Sequence, residues 1–329
     1  MSESPSPPAA ILLFTSVELY LSGFEHQLGR TSRDLAGLKA AGLLCNEVAE
    51  IAKQGYAHNF GIGEDEDLLS LASVPFGRLL QRCPQPGALV FHHSYAASAA
   101  AHPGPATDGF MPHAQYFPAA LLRRFELDHV PYFGSFATGC TGLLSLILTA
   151  AGLCAFSQGA PVVCLTADVK PPGTTYDARR EKILTSDCAS GFLIGREPRG
   201  YRALGIGFYS TKRELVPLVE IVKRTVQMVR GLTEALAIDC TQRKFVLHYP
   251  NIFPSAWPMV TNYLRLTSEP QALDGLAERA HCLSSDPVIT LAKWHLGQPG
   301  RLHVVVNFGS GLHLGVGIFS EELRHEPGA

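Results

Sequence analysis

The run Phe136-Ala137-Thr138-Gly139-Cys140-Thr141-Gly142 follows an extended apolar stretch and opens the apolar segment Leu143 to Phe156. If that segment is a helix, the Cys140 sulfur lies over its N-terminus, where free N–H groups and the positive dipole end stabilise a thiolate. A thiol so placed is a candidate nucleophile. Burial accounts for a lone cysteine equally well, so the surrounding sequence must decide. Immediately downstream, Gly159-Ala160-Pro161-Val162-Val163-Cys164-Leu165-Thr166 supplies a turn and an apolar strand. Cys140 is therefore expected on a strand–nucleophile–helix–strand unit.

The same alternation extends in both directions. Ala10 to Phe14, Ala88 to His92, Val162 to Thr166, Lys244 to His248 and Val304 to Val306 have the composition of buried strands. Between them, Ser32 to Gln54, Leu68 to Arg82, Phe117 to Leu127, Leu143 to Phe156 and Leu215 to Ala237 carry helical spacing. Such alternation predicts an α/β architecture with buried sheets. Pro171-Pro172-Gly173 interrupts it, and Ser186-Asp187-Cys188-Ala189-Ser190-Gly191 leads into the strand-like Phe192 to Gly195. A second half begins near Pro198, giving a short disordered lead over 1–8 and two halves, 9–197 and 198–329. Tyr95 to Pro112, rich in Ala, Gly, Pro and His, suggests a mobile lid.

With 46% hydrophobic and 17% charged residues, the chain of 329 can bury a large core. A net charge of -2 without a basic run favours neither nucleic acid nor an anionic membrane, and points to small molecules or proteins as partners. Leu143 to Phe156 falls short of the roughly 20 residues that span a bilayer. The polar, Pro/Ser-rich Met1 to Pro8 lacks the features of a signal peptide. Eight cysteines without CxxC spacing suggest neither a zinc site nor a disulfide framework, which fits a reducing cytoplasm.

Three further segments can carry chemistry. In Phe245-Val246-Leu247-His248-Tyr249-Pro250-Asn251, an imidazole ends a buried strand, where open α/β sheets bind ligands. A structural histidine bonded to a carbonyl is the alternative. In His281-Cys282-Leu283-Ser284-Ser285-Asp286-Pro287, Asp286 can fold back to orient His281 and stabilise its imidazolium. Equally, Asp286 can cap a helix starting at Pro287. In Asn307-Phe308-Gly309-Ser310-Gly311-Leu312-His313-Leu314-Gly315, backbone N–H groups of Gly309, Ser310 and Gly311 can face an oxyanion, or the glycines can simply turn a hairpin. The spacing matches neither a Walker loop nor GxGxxG.

Taken in order, these segments resemble the β-ketoacyl-ACP synthase III branch of the thiolase superfamily. Ala137 to Gly142 resembles its nucleophile segment, Ser186 to Gly191 its DGAGA-like strand entry, His248 to Asn251 its HQAN, and Phe308 to Gly315 its terminal FGGGxxxG. The resemblance implies a thiolase-like duplicated five-layer αβαβα fold, usually a homodimer, with an acyl thioester on Cys140. It implies no permanently bound cofactor or metal; the acyl group arrives on coenzyme A or on the phosphopantetheine of an acyl carrier protein. Where condensing members carry a GN segment, this chain has Ala280-His281, with Asp286 five residues on. That GHxxxxD-like pattern resembles members that became acyltransferases of natural-product pathways, which use a Cys-His-Asp set to acylate a hydroxyl, amine or carrier. No TGIxxR segment and no coenzyme A-contacting arginine and tryptophan are recognisable.

The expected roles are Cys140 as nucleophile, His281 as base, Asp286 as its orienting group, and His248 as an assistant that stabilises the thiolate as an imidazolium or orients the acceptor. Asn251 is expected to position substrate. Cys140, His248 and His281 also form the Cys-His-His set of decarboxylative Claisen condensation, which is the competing expectation. A non-catalytic partner subunit is a third, against which the retained nucleophile counts.

Overall fold

Strand alternation sends successive side chains to opposite faces, and here both faces of the sheet are covered. The structure, a computed structural model, describes residues 10–99, 102–103, 114–115, 117–154, 159–211, 216–240, 243–266, 268–271, 275–294, 298–309 and 313–322. The lead over 1–8, Ser310 and Gly311, and most of the expected lid fall outside them.

The first half contributes β1 (Tyr20–Leu28), β2 (Ala88–His92), β3 (Tyr132–Ser135), β4 (Val162–Asp168) and β5 (Cys188–Gly195). The second contributes β6 (Tyr201–Ser210), β7 (Phe245–His248), β8 (Ser268–Gln271), β9 (Leu302–Gly309) and β10 (His313–Glu321). They form one eleven-stranded sheet in the order β8-β7-β9-β10-β6-β1-β5-β4-β2-β3, with Ala10–Leu13 paired to β6 off that path. Each half repeats the same arrangement. β2 lies parallel between β3 and β4, as β7 does between β8 and β9, and the remaining neighbours are antiparallel. The halves meet where Tyr201 and Arg202 pair with Leu21 and Tyr20.

Helices complete the layers. α1 (Leu68–Arg82) and α2 (Phe117–Arg124) cover the outer face of the first half. α4 (Leu218–Ala235) and α5 (Ala256–Leu264) cover that of the second. Between the halves lie α3 (Gly142–Cys154) and α6 (Asp286–Trp294). Along β2, Ala88 and Val90 enter the central core with Leu144 and Ile147, while Leu89 and Phe91 join the outer core with Phe76. On β9, Val305 faces the central core and Val304 and Val306 face outward. Three cores separated by two sheet layers make the αβαβα sandwich.

Local chemistry explains the elements. Asp67 accepts the Ser70 N–H (2.7 Å) and Ser70 Oγ accepts the Asp67 N–H (2.8 Å), a capping box that starts α1 as expected. Leu68, Leu71, Ala72, Phe76 and Leu79 then form its buried stripe. α3 is apolar almost all round because sheet lies on both sides of it. A Cβ at Gly315 would come within 2.6 Å of Leu144 Cδ1, so the glycines of β10 let α3 approach the sheet closely.

Two expectations are corrected. Ser32 to Gln54 is not one helix: Thr31–Asp34 is a strand paired with His58–Gly61, followed by short helices Leu35–Ala40 and Val48–Ala52. Gly42 takes φ +69°, and the Cys45 and Asn46 N–H groups turn aside to donate to Asp177 (both 2.8 Å). Ala10 to Phe14 does form a strand over Ala10–Leu13, but Ile11, Leu12 and Leu13 are exposed rather than buried. Because Leu144 is fully buried in the central core, Leu144→Ala should cost about 2–5 kcal/mol in urea unfolding.

Candidate active site

Cys140 stands in the 3₁₀ turn Gly139–Thr141 that feeds α3, at the carboxyl end of β3. Gly139 takes φ +50°, and its carbonyl receives Nε2–H of buried His92 (2.7 Å) and the Ser284 hydroxyl (3.1 Å). Burial holds His92 down at about 4 despite the Gly139 carbonyl, so the ring is neutral, with Nδ1 free to accept from Ser135 (2.9 Å). The Gly142 N–H donates to Ser284 Oγ (3.2 Å). A Cβ at Gly142 would lie 2.2 Å from His92 and 2.5 Å from Ser284 Oγ. On the opposite side Gly309 ends β9, where a Cβ would come 2.7 Å from the Thr138 carbonyl and 3.1 Å from the Cys140 nitrogen. Glycine at both positions lets the nucleophile turn be held from two sides.

His281 comes from the other half of the chain. Its N–H donates to the Leu184 carbonyl (3.0 Å) and its carbonyl accepts the Ser186 N–H (2.9 Å), stitching the 280–286 turn to the first half. Nδ1 lies 2.5 Å from Asp286 Oδ2. With Nδ1 taken by Asp286, Nε2 is the nitrogen left for the Cys140 sulfur, which lines the same cavity. Burial lowers the imidazole's affinity for a proton, but Asp286 and Cys140 more than offset this and lift its pKa to about 10.

Asp286 is saturated. Oδ2 also accepts the Asn251 N–H (3.0 Å), and Oδ1 accepts the Cys282 N–H (3.0 Å) and a hydrogen bond from Arg279. Burial opposes its charge, yet Arg279, His281 and these N–H groups hold the carboxyl far below the ordinary carboxylate range. The capping expectation is corrected: α6 begins at Asp286 itself, and the oxygens serve groups outside the helix.

Cys140 and His281 line a cavity of about 560 Å³. Tyr95, Tyr176, Ile183, Ile252, Phe253 and Phe308 make much of its wall. Asp177 and Glu181 contribute carboxylates, and among the described residues no Lys or Arg lines it.

His248 and Asn251 differ from expectation. His248 does not line the cavity; its Nε2 lies 2.9 Å from His303 Nδ1, and burial with His303 nearby holds it well below the ordinary histidine range. An imidazolium there is corrected to a neutral ring. Asn251 also lies off the cavity, its Nδ2–H donating to the Ala280 carbonyl (2.9 Å) in support of the base turn. Sequence reasoning missed Arg279, His92 and Ser284. His92 ends a buried strand as His248 does, so the same rule would have nominated it; Arg279 and Ser284 carry no such mark.

No protein-family model and no curated protein sequence matches the chain. Solved structures do. The 3-oxoacyl-[acyl-carrier-protein] synthase III of Aquifex aeolicus superposes with a TM-score of 0.69 at 12% identity, covering 92% of this chain and 99% of that one. ChlB3, described as an acyltransferase, gives 0.68 at 15%, over 93% and 98%. The synthase III of Pseudomonas aeruginosa PAO1 gives 0.67 at 16%, over 94% and 100%. The chain has the thiolase-like fold. Within that fold the Cys140 turn belongs to the first half and the His281–Asp286 turn to the second, so the candidate site forms where the halves meet.

Three outcomes test this geometry. The His281 imidazole, followed by ¹⁵N NMR, should titrate near 10 and return toward the ordinary value of about 6.5 in Asp286→Asn. Because the folded value is the higher one, the stabilisation His281 draws from its partners is complete below about pH 6.5 and is lost as pH rises toward 10. The gap in unfolding free energy between the wild type and His281→Gln should narrow over that window. Ala280 adopts φ 53° and ψ -155°, a region glycine favours, so Ala280→Gly should stabilise the fold by about 1 kcal/mol in urea titration.

Proposed function

We propose that the chain is an acyltransferase that passes an acyl group from a coenzyme A or acyl-carrier-protein thioester, through a Cys140 acyl-enzyme, to a hydroxyl, amine or carrier acceptor. The observation that carries this reading is the buried His281, clamped by Asp286 through Nδ1 and sharing one cavity with Cys140, for which Nε2 is the nitrogen that remains. ChlB3 shares the fold and is described as an acyltransferase, and the synthases that share it are condensing enzymes.

The steps follow from the proton inventory. With His281 protonated, Cys140 attacks as the thiolate of an ion pair. The tetrahedral intermediate expels the donor thiolate, which takes the His281 proton and leaves a thioester on Cys140. Neutral His281 then accepts the acceptor's proton as its oxygen or nitrogen attacks that thioester. Collapse expels the Cys140 thiolate beside the renewed imidazolium. The Asp286 carboxylate stays ionised throughout, held by Arg279 and backbone N–H groups, so it orients the ring without taking its proton. The Cys140 N–H, beside Gly309, is the described backbone donor available to the oxyanion.

The cavity wall supports an acyl or acceptor group as occupant. Apolar walls suit an acyl chain, and with two carboxylates and no described Lys or Arg the cavity is unsuited to the phosphates of a donor, which would stay outside it. Exposed Tyr132, Phe133 and Phe136 on and beside the edge strand β3 support a homodimer through that edge.

Incubation with acyl thioesters should add the acyl mass to Cys140 and not to Cys140→Ala, followed by release to a hydroxyl or amine without carbon dioxide. Carbon dioxide from a malonyl donor with a carbon-extended product would establish condensation instead, and absence of acylation by every thioester would leave a partner subunit. Asp286→Asn should slow release roughly 100-fold, as for a mispositioned general base, and much more than it slows acylation; equal losses in both steps would sink the orienting role.

A further inference from the structure

β7 and β9 run parallel with His248 opposite Val305. Phe245, Leu247, Val304 and Val306 enter the outer core and Val305 the central one, so alternation puts His248, His303 and Asn307 on the face toward α3. Along that face His248 Nε2 lies 2.9 Å from His303 Nδ1, and His303 Nε2 lies 3.3 Å from Glu321 Oε2. The Gln298 N–H donates to Glu321 Oε1 (2.8 Å). All three side chains of this chain of bonds are buried. Beyond its end, His248 Nδ1 and both amide atoms of buried Asn307 have no hydrogen-bond partner among the described residues.

Burial keeps both rings neutral, so each carries one N–H. Glu321 accepts, which places the His303 proton on Nε2 and leaves Nδ1 with a lone pair. That lone pair accepts Nε2–H of His248. We infer that Glu321 and His303 are positioning residues that hold His248 as its Nε2–H tautomer and leave Nδ1 as an acceptor, beside the Asn307 amide, for an O–H or N–H group entering between the sheets. Unsatisfied buried polar atoms of this kind mark a place for a water or a ligand group. Two residues beyond Asn307 on the same face, Gly309 abuts the turn that carries Cys140, which places the unpartnered atoms on the Cys140 side of β9. A ring with its N–H committed to His303 cannot donate to a thioester carbonyl, which the condensing alternative requires. The inference rests on the transfer reading only for naming the acceptor as the group that enters.

The test is direct. In protein labelled with ¹⁵N-histidine, with signals assigned through His248→Gln, His248 Nδ1 should be unprotonated and Nε2 protonated at pH 7. In Glu321→Gln the amide oxygen stays at the Oε1 position that receives the Gln298 N–H, so the amide nitrogen faces His303 and donates. Both rings should then invert, with His248 protonated on Nδ1, and the ratio of acyl release to Cys140 acylation should fall about tenfold, the size of one lost hydrogen bond. An Nδ1-protonated His248 in the wild type overturns the inference, as does an unchanged tautomer in Glu321→Gln. Should that variant not fold, the wild-type spectrum alone decides. Inversion without any acylation of Cys140 would keep the tautomer assignment and discard the proposed function.

Discussion

The His281 side of the site leans on one buried carboxylate. Isolated in a protein interior, the Asp286 charge would be prohibitively costly, and it exists because four donors converge on it: Arg279, His281 and the N–H groups of Asn251 and Cys282. Each donor is itself a structural commitment. Asn251 ties the end of β7 to the start of α6, Arg279 spans the turn, and His281 is fastened through its backbone to the first half. The ring's orientation is thus a consequence of charge compensation as much as of packing.

Placement of Cys140 obeys a different constraint, close approach. His92 and Ser284 reach one carbonyl, and Gly142 and Gly309 remove the side chains that would hold their neighbours away. Sterics set where the sulfur lies, and electrostatics set what faces it. The two meet at Ser284, which belongs to the 280–286 turn and donates to the Gly139 carbonyl.

Local signals made much of this legible in the sequence. α1 begins where Asp67 and Ser70 cap each other, β2 is bounded by its apolar run, and His281 and Asp286 are near enough in the chain for their pairing to be expected. Long-range effects hid the rest. β1 was obscured by Gly23, at φ +63°, and by an irregular register against β5 near Gly191. The glycines of β6 and β10 suggest turns until α4 and the Ala10–Leu13 strand are seen against the first and α3 against the second. Ser32 to Gln54 has helical spacing, but Asp177, far along the chain, claims the N–H groups a helix would have used. Arg279, His303 and Glu321 acquire meaning only from partners that topology supplies.

The narrow junction between halves has a temporal side. β1 and β6 share two residue pairs, and His281 follows the whole of the first half and much of the second. During synthesis the Cys140 thiol therefore emerges before His281, Asp286 and the Gly309 wall. The surroundings of Cys140 are thus completed last, by the end of the chain, and a truncated or half-folded product holds the sulfur without them.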